Sequence, residues 1–185
     1  ERKYDLVTAL FLLSYMSRPE LLIRKMKACL RPGGMLLLMD VNMEVEQAGY
    51  FSGLEKEDKG LRRPDFVPVW EYEITHRERD YRMGTKLPWL LKQCGLKQIR
   101  ARVSDQVILY DPSDPQKEAV NERFRSVYAQ EDAYQGGADY FMARGANFQK
   151  ADEYAGYLKR THEYMDSPDA MIVKTSGIYF VYGVV

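Results

Sequence analysis

Histidine and cysteine are scarce in this chain, with two of each in 185 residues. His76 and His162 have no Cys or His neighbour at ligand spacing, which excludes the familiar tetrahedral zinc patterns. Cys29 and Cys94 fall in segments of helical periodicity and read as small core residues, not as a disulfide or metal pair. Charge of one sign is also lacking. Lys and Arg total 27, Asp and Glu total 27, and the formal charge is zero. A nucleic-acid partner normally draws a basic excess to neutralise phosphates, so no nucleic-acid partner is expected. No apolar run approaches the roughly 18 residues needed to cross a bilayer, and no signal-peptide pattern is present. The expectation is a cytoplasmic chain with no membrane partner and no metal.

What is present suits a globular protein with a core: 45% hydrophobic and 29% charged residues over a length that fits one domain. Residues 4–10 form a short apolar run with the character of a buried strand. Ser17-Arg18-Pro19-Glu20 has the form of a capping box. Leu22, Met26, Cys29 and Leu30 follow on one helical face. Pro32-Gly33-Gly34 stops that helix, and Met35-Leu36-Leu37-Leu38-Met39 reads as a second buried strand. The unit predicts a right-handed crossover between parallel strands.

Residues 43–84 are polar and broken by glycines and prolines, including Gly60. They are too long for an idle loop, and Val69 to Tyr81 reads as extended. A helix with Leu87, Leu90, Leu91 and Cys94 on one face ends at Gly95, a good left-handed terminator. Leu96 to Tyr110 reads as strand. Asp114-Pro115 opens a helix with Val120, Phe124, Val127 and Tyr128 on one stripe, and Asn147 caps another bearing Tyr154 and Leu158. The chain ends in a strand with a Thr175-Ser176-Gly177 turn or bulge. Early alternation of strands and helices argues an α/β sheet, and an antiparallel strand at the sheet edge fits the final segment.

Three segments, in order, resemble the second half of class I, Rossmann-like S-adenosylmethionine-dependent methyltransferases. Tyr4-Asp5-Leu6-Val7-Thr8-Ala9-Leu10-Phe11-Leu12-Leu13-Ser14-Tyr15-Met16 is similar to the family's fourth strand and the turn after it. Leu30-Arg31-Pro32-Gly33-Gly34 with the apolar run to Asp40 is similar to the entry into its fifth strand. Leu90 to Leu96 is similar to the helix and glycine turn before the sixth. In that family the sheet order is 3-2-1-4-5-7-6, with the seventh strand antiparallel. The resemblance therefore implies strands four to seven of seven, S-adenosylmethionine as cofactor, and methyl transfer to a small-molecule substrate.

The family's Gly-x-Gly-x-Gly loop and its ribose-gripping acidic residue have no counterpart in the sequence. The expectation is a partial methyltransferase domain over residues 1–185, its pocket completed by a missing N-terminal half. A helical insert at 112–168 reads as a possible substrate lid. In open α/β sheets ligands bind beyond the carboxyl ends of the strands, where strand order reverses. The resemblance then places Ala9, Leu10, Phe11, Ser14 and Tyr15 beside the cofactor, although Leu10 and Phe11 can equally be core. Asp40 and Asn42, at the end of the fifth strand, read either as substrate-positioning groups or as a polar strand end that makes a turn. Tyr81, Tyr140 and Phe141 are the aromatic candidates for substrate contact, with Tyr128, Tyr134, Tyr154 and Tyr157 also on the insert.

No triad is required, because methyl transfer is an in-line displacement and a base is needed only where the acceptor must lose a proton. Asp40, His76 and His162 are the candidate bases. A second reading is a non-catalytic binding or dimerisation module on a truncated methyltransferase fold. Residues 4–10 would then offer an exposed edge to another copy or to a missing N-terminal segment.

Overall fold

The computed structural model describes residues 3–57, 61–77, 79–130 and 132–185. Gly60 and the side chains of Val127, Tyr128 and Tyr134 lie outside the described residues. In chain order the elements begin β1 (Tyr4–Leu10), α1 (Pro19–Ala28), β2 (Leu30–Val41), α2 (Met43–Ala48) and β3 (Tyr50–Ser52). They continue α3 (Leu54–Glu57), α4 (Val67–Arg77), α5 (Met83–Gln93), β4 (Lys97–Val103) and β5 (Val107–Tyr110). The last are α6 (Glu118–Gln130), α7 (Asp132–Met142), α8 (Phe148–Tyr164), β6 (Ile172–Thr175) and β7 (Ile178–Val184).

These elements form two compact units. The first comprises residues 1–48, 73–106 and 176–185, and the second residues 49–72 and 107–175. The division falls after Tyr72, within α4.

The first unit carries a four-stranded sheet of order β1-β2-β7-β4. β1 and β2 are parallel, with Val7 opposite Leu36 and Leu10 opposite Met39. β7 runs antiparallel to both β2 and β4. This is the 4-5-7-6 portion of the order the resemblance implies. The antiparallel strand lies one place in from the edge, and β4 closes the sheet.

One face of this sheet packs on α1 and α5. Ile23, Leu36, Leu38, Leu87, Leu91 and Val181 are all at 0% exposure there. Full burial of each such aliphatic side chain stabilises by about 1.5–3 kcal/mol. Strand alternation sends Leu6, Leu10, Met35 and Phe180 to the opposite face, and all four are exposed.

Local chemistry fixes the element ends. Gly95 adopts φ +73° beyond α5, and the Leu96 and Gly95 N–H groups donate to the Leu91 and Lys92 carbonyls at 3.1 and 3.0 Å. That is a Schellman closure, which needs a residue tolerant of the left-handed region. Lys27 donates to the carbonyls of Cys94 and Gly95 at 2.9 Å each, engaging oxygens that the helix leaves open.

Several sequence expectations shift. Arg18 occupies the cap of α1 without a side-chain hydrogen bond, so the Ser17 capping box does not form. The Pro-Gly-Gly turn lies inside β2, as a register irregularity between Tyr4–Leu30 and Leu6–Met35. Cys29 is exposed, its thiol turned back onto the Lys25 carbonyl, whereas Cys94 is buried. The stretch read as extended at Val69 to Tyr81 is helical through α4, because its side chains pack at helical intervals that charge counting obscures.

The second unit has a three-stranded antiparallel sheet of order β3-β6-β5. The single strand read over Leu96 to Tyr110 is thus two, β4 and β5, in different sheets. α7 and α8 pack together around Phe141, Ala151, Tyr154 and Tyr157. Asn147 caps α8 by accepting from the Lys150 N–H at 2.9 Å, as its sequence context predicts.

Candidate functional site

In the first unit the carboxyl ends of the parallel strands β1 and β2 lie side by side. Phe11 turns the chain out of β1 at φ +51°, and its N–H donates to the Met39 carbonyl at 2.8 Å. A bulky residue in the left-handed region costs about 1–2 kcal/mol, so the turn is held by its surroundings. Leu13, 1% exposed, anchors the following 3-10 turn in the core. Leu10, Phe11, Leu12 and Tyr15 are left exposed at 54%, 43%, 44% and 55%. An apolar rim in water is the outcome.

Asp40 secures that rim. Its side chain is fully buried, and its two carboxylate oxygens accept the N–H groups of Ser14 and Val41, each at 3.0 Å. The Ser14 carbonyl in turn accepts from the Asp80 N–H at 2.7 Å. Neither backbone group of Ser14 is left for a ligand. Gly84, in the first turn of α5, packs so close that a Cβ would lie 2.9 Å from the Asp40 carbonyl oxygen. Only glycine lets the helix approach this strand end.

Asn42 makes a turn. Its Oδ1 accepts from the Glu44 and Val45 N–H groups at 2.9 and 3.4 Å, capping α2, while its Nδ2 donates to Thr85 at 3.3 Å. Both Asp40 and Asn42 thus make turn-forming contacts with backbone N–H groups. Tyr81 is 8% exposed, and its carbonyl accepts from the Met43 N–H at 2.9 Å. Ala9 is buried beneath the rim at 6%.

Tyr140 and Phe141 lie in the second unit. Phe141 is 1% exposed, with the rings of Phe66, Tyr154 and Tyr140 at 6.1, 5.0 and 5.2 Å. It packs in the aromatic core of that unit. Tyr140 is partly buried, and the Arg144 guanidinium sits 3.4 Å over its ring. The second unit also holds an open recess of about 540 Å³ lined by Asp114, Glu118, Asn121, Glu122 and Arg125 among others. None of the sequence-predicted site residues lines it. Arg125 there donates from Nε to the Tyr110 hydroxyl and from a terminal nitrogen to the Met165 carbonyl, each at 2.6 Å.

Sequence reasoning missed Arg79. Its guanidinium lies 4.7 Å from the centre of the Tyr15 ring and 4.4 Å from that of Tyr81. The residue stands in a dense charge run that reads as solvated surface. The tyrosines on either side in space, one of them adjacent in sequence to Asp80, were the available signal.

Among the described residues no group of three His, Cys, Asp or Glu side chains is arranged to hold a metal ion. No described helix is long and apolar enough to cross a membrane. The chemistry on offer is therefore an apolar wall with a positioned cation, beside the carboxyl ends of a parallel strand pair.

A four-stranded sheet with this order and this antiparallel strand is of the Rossmann-like methyltransferase fold class. Residues 1–101 match the family model described as "Methyltransferase domain", and the chain belongs to that family. No curated protein matches the chain. Among solved structures it is similar to phosphoethanolamine N-methyltransferase 2 of Haemonchus contortus in complex with S-adenosyl-L-methionine. That likeness has 15% identity and a TM-score of 0.43, over 100% of this chain and 34% of that one. It is also similar to the cyclopropane synthase MmaA2 from Mycobacterium tuberculosis, at 11% identity and a TM-score of 0.42, over 98% of this chain and 56% of that one. The chain spans about a third of the length of the first and under two thirds of the second. The family assignment rests on the matched residues 1–101 and not on these likenesses.

Proposed function

We propose that this chain contributes to methyl transfer from S-adenosylmethionine to a small-molecule acceptor, as a cytoplasmic protein. The observation that carries the reading is the exposed apolar turn Leu10-Phe11-Leu12, held by Asp40 at the carboxyl ends of β1 and β2. Exposed aromatic and aliphatic groups at that end of a parallel sheet are where a flat, partly apolar ligand docks.

The fit to the cofactor is partial. Leu10, Phe11, Leu12 and Tyr15 can flank its apolar surface. The backbone groups of Ser14 and the side chains of Asp40 and Asn42 are engaged inside the protein, and the sequence has no glycine loop or acidic ribose ligand. The pocket is therefore completed by groups outside this sequence. When bound, the cofactor supplies an electrophilic methyl group on a sulfonium. This chain's share is placement: a rigid turn that holds one wall, excludes water and aligns the acceptor.

A second reading, a binding or dimerisation module, has its own support. Among the described residues β1 has no strand on its outer side, and Leu6, Leu10, Met35 and Phe180 leave its sheet face apolar and bare. The coding sequence upstream of Glu1 separates the two. A Gly-x-Gly segment following a strand pattern there supports the enzyme, and an in-frame stop codon favours the module.

A further inference from the structure

We propose that Arg79 is an anion anchor that binds the carboxylate or phosphate of the methyl acceptor; this rests on the methyl-transfer reading of the same rim. The guanidinium is held between two tyrosine rings, Tyr15 at 4.7 Å and Tyr81 at 4.4 Å. Tyr15 is more than half exposed, whereas Tyr81 is buried, so the cation has one fixed wall and one open one. Stacking on two rings orients the planar fork without using its N–H donors, which stay available for a bidentate anion.

Among the described residues, Asp80 and Glu44 are engaged by other groups. Asp80 accepts from the Arg82 N–H at 2.9 Å and forms an ion pair with Lys86. Glu44 pairs with Arg82 at 2.8 Å. Among the described residues Arg79 itself has ring contacts and no carboxylate. A guanidinium stays charged at every working pH. The result is a cation oriented by two rings and, among the described residues, paired with no carboxylate.

Its place on the rim is fixed by backbone. The Asp80 N–H donates to the Ser14 carbonyl at 2.7 Å, so the residue after Arg79 is tied to the turn that exposes Phe11 and Tyr15. An acceptor with an apolar body and an anionic end matches this pairing of an aromatic wall with a cation. Neutral acceptors leave Arg79 without a counter-charge.

The test uses the whole chain without cofactor, titrated with phenyl phosphate, benzoate and, as neutral control, benzyl alcohol. Binding is followed by the arginine Nε–H and tyrosine ring resonances. Phenyl phosphate or benzoate shifts the Arg79 Nε–H signal, and benzyl alcohol does not. Preference between the two anions names phosphate or carboxylate. Arg79→Gln weakens the anion by about tenfold or more, as loss of a charged hydrogen-bond pair requires, and Arg79→Lys falls between. The circular dichroism of both variants is that of the parent. Equal binding by parent and Arg79→Gln, equal shifts from benzyl alcohol, or no shift from either anion overturns the proposal. Because no cofactor is present, failure here leaves the methyl-transfer reading standing. Anion binding at Arg79 in a chain whose upstream frame lacks the glycine loop sinks that reading alone.

Discussion

The backbone N–H of Ser14 donates to Oδ2 of Asp40 at 3.0 Å, joining the turn after β1 to the last buried residue of β2. The bond links residues 26 positions apart and makes the exposed rim a fixed feature of the sheet end. Removing the acceptor exposes the argument directly. Asp40→Asn puts an amide donor against one of two N–H donors, and Asp40→Ala leaves both unmet in a site closed to water. Each substitution is expected to destabilise the chain by about 1–3 kcal/mol, read as a lower urea midpoint with unchanged slope.

Phe11 tests the separation of ligand binding from stability. Its positive φ suits glycine, so Phe11→Gly relieves backbone strain while it removes the ring. Stability is expected to stay within about 1 kcal/mol of the parent in urea unfolding. Binding of S-adenosylhomocysteine, followed by NMR, falls. A large loss of stability would mean that the ring is packed, contrary to its 43% exposure.

The second unit carries a pH dependence. Burial, followed by the nearby Tyr50 hydroxyl and the Glu55 carboxylate, pushes the Tyr157 hydroxyl well above the ordinary tyrosine range. The hydroxyl donates to Glu55 at 3.0 Å. Its folded pKa exceeds the unfolded one near 10, so above that pH the folded chain binds more protons and stability falls as pH rises. Below it the contribution is fully present. Tyr154 and Tyr164 shift in the same direction, mainly through burial. Tyr157→Phe should flatten the loss of stability between about pH 9 and pH 11, measured by urea unfolding across that range. An unchanged slope would place the effect on the other tyrosines.

Much of the first unit was legible because strand periodicity and turn chemistry agree there. The apolar runs at 4–10 and 35–39 and the Gly95 terminator are local signals with few alternative solutions, whereas the terminal segment read as one strand is two, β6 and β7, in different sheets. The turn after β1 falls where the apolar run at 4–10 ends, but the state of its side chains was not readable. Leu10 and Phe11 have the same composition as core residues, and only the sheet's face assignment shows them exposed. Asp40 and Asn42 carried two readings because a carboxylate or amide at a strand end serves ligands and backbone equally well. The N–H groups of Ser14 and Glu44 that these side chains accept from lie elsewhere in the fold or beyond the strand and are not marked by the residue types themselves. Arg79 was hidden for a related reason: its tyrosine walls come from residues 64 positions apart in one case and two in the other, and helical packing of α4 was masked by charge.

Titration of the chain with S-adenosylhomocysteine, followed by methyl and aromatic NMR and by calorimetry, shows whether the turn after β1 receives the cofactor. If the pocket is completed by a segment outside residues 1–185, as proposed, affinity is no tighter than about 1 mM. The account predicts shifts confined to Leu10, Phe11, Leu12 and Tyr15. Micromolar binding, or shifts at the Asp114–Arg125 recess with none at Phe11, would contradict it.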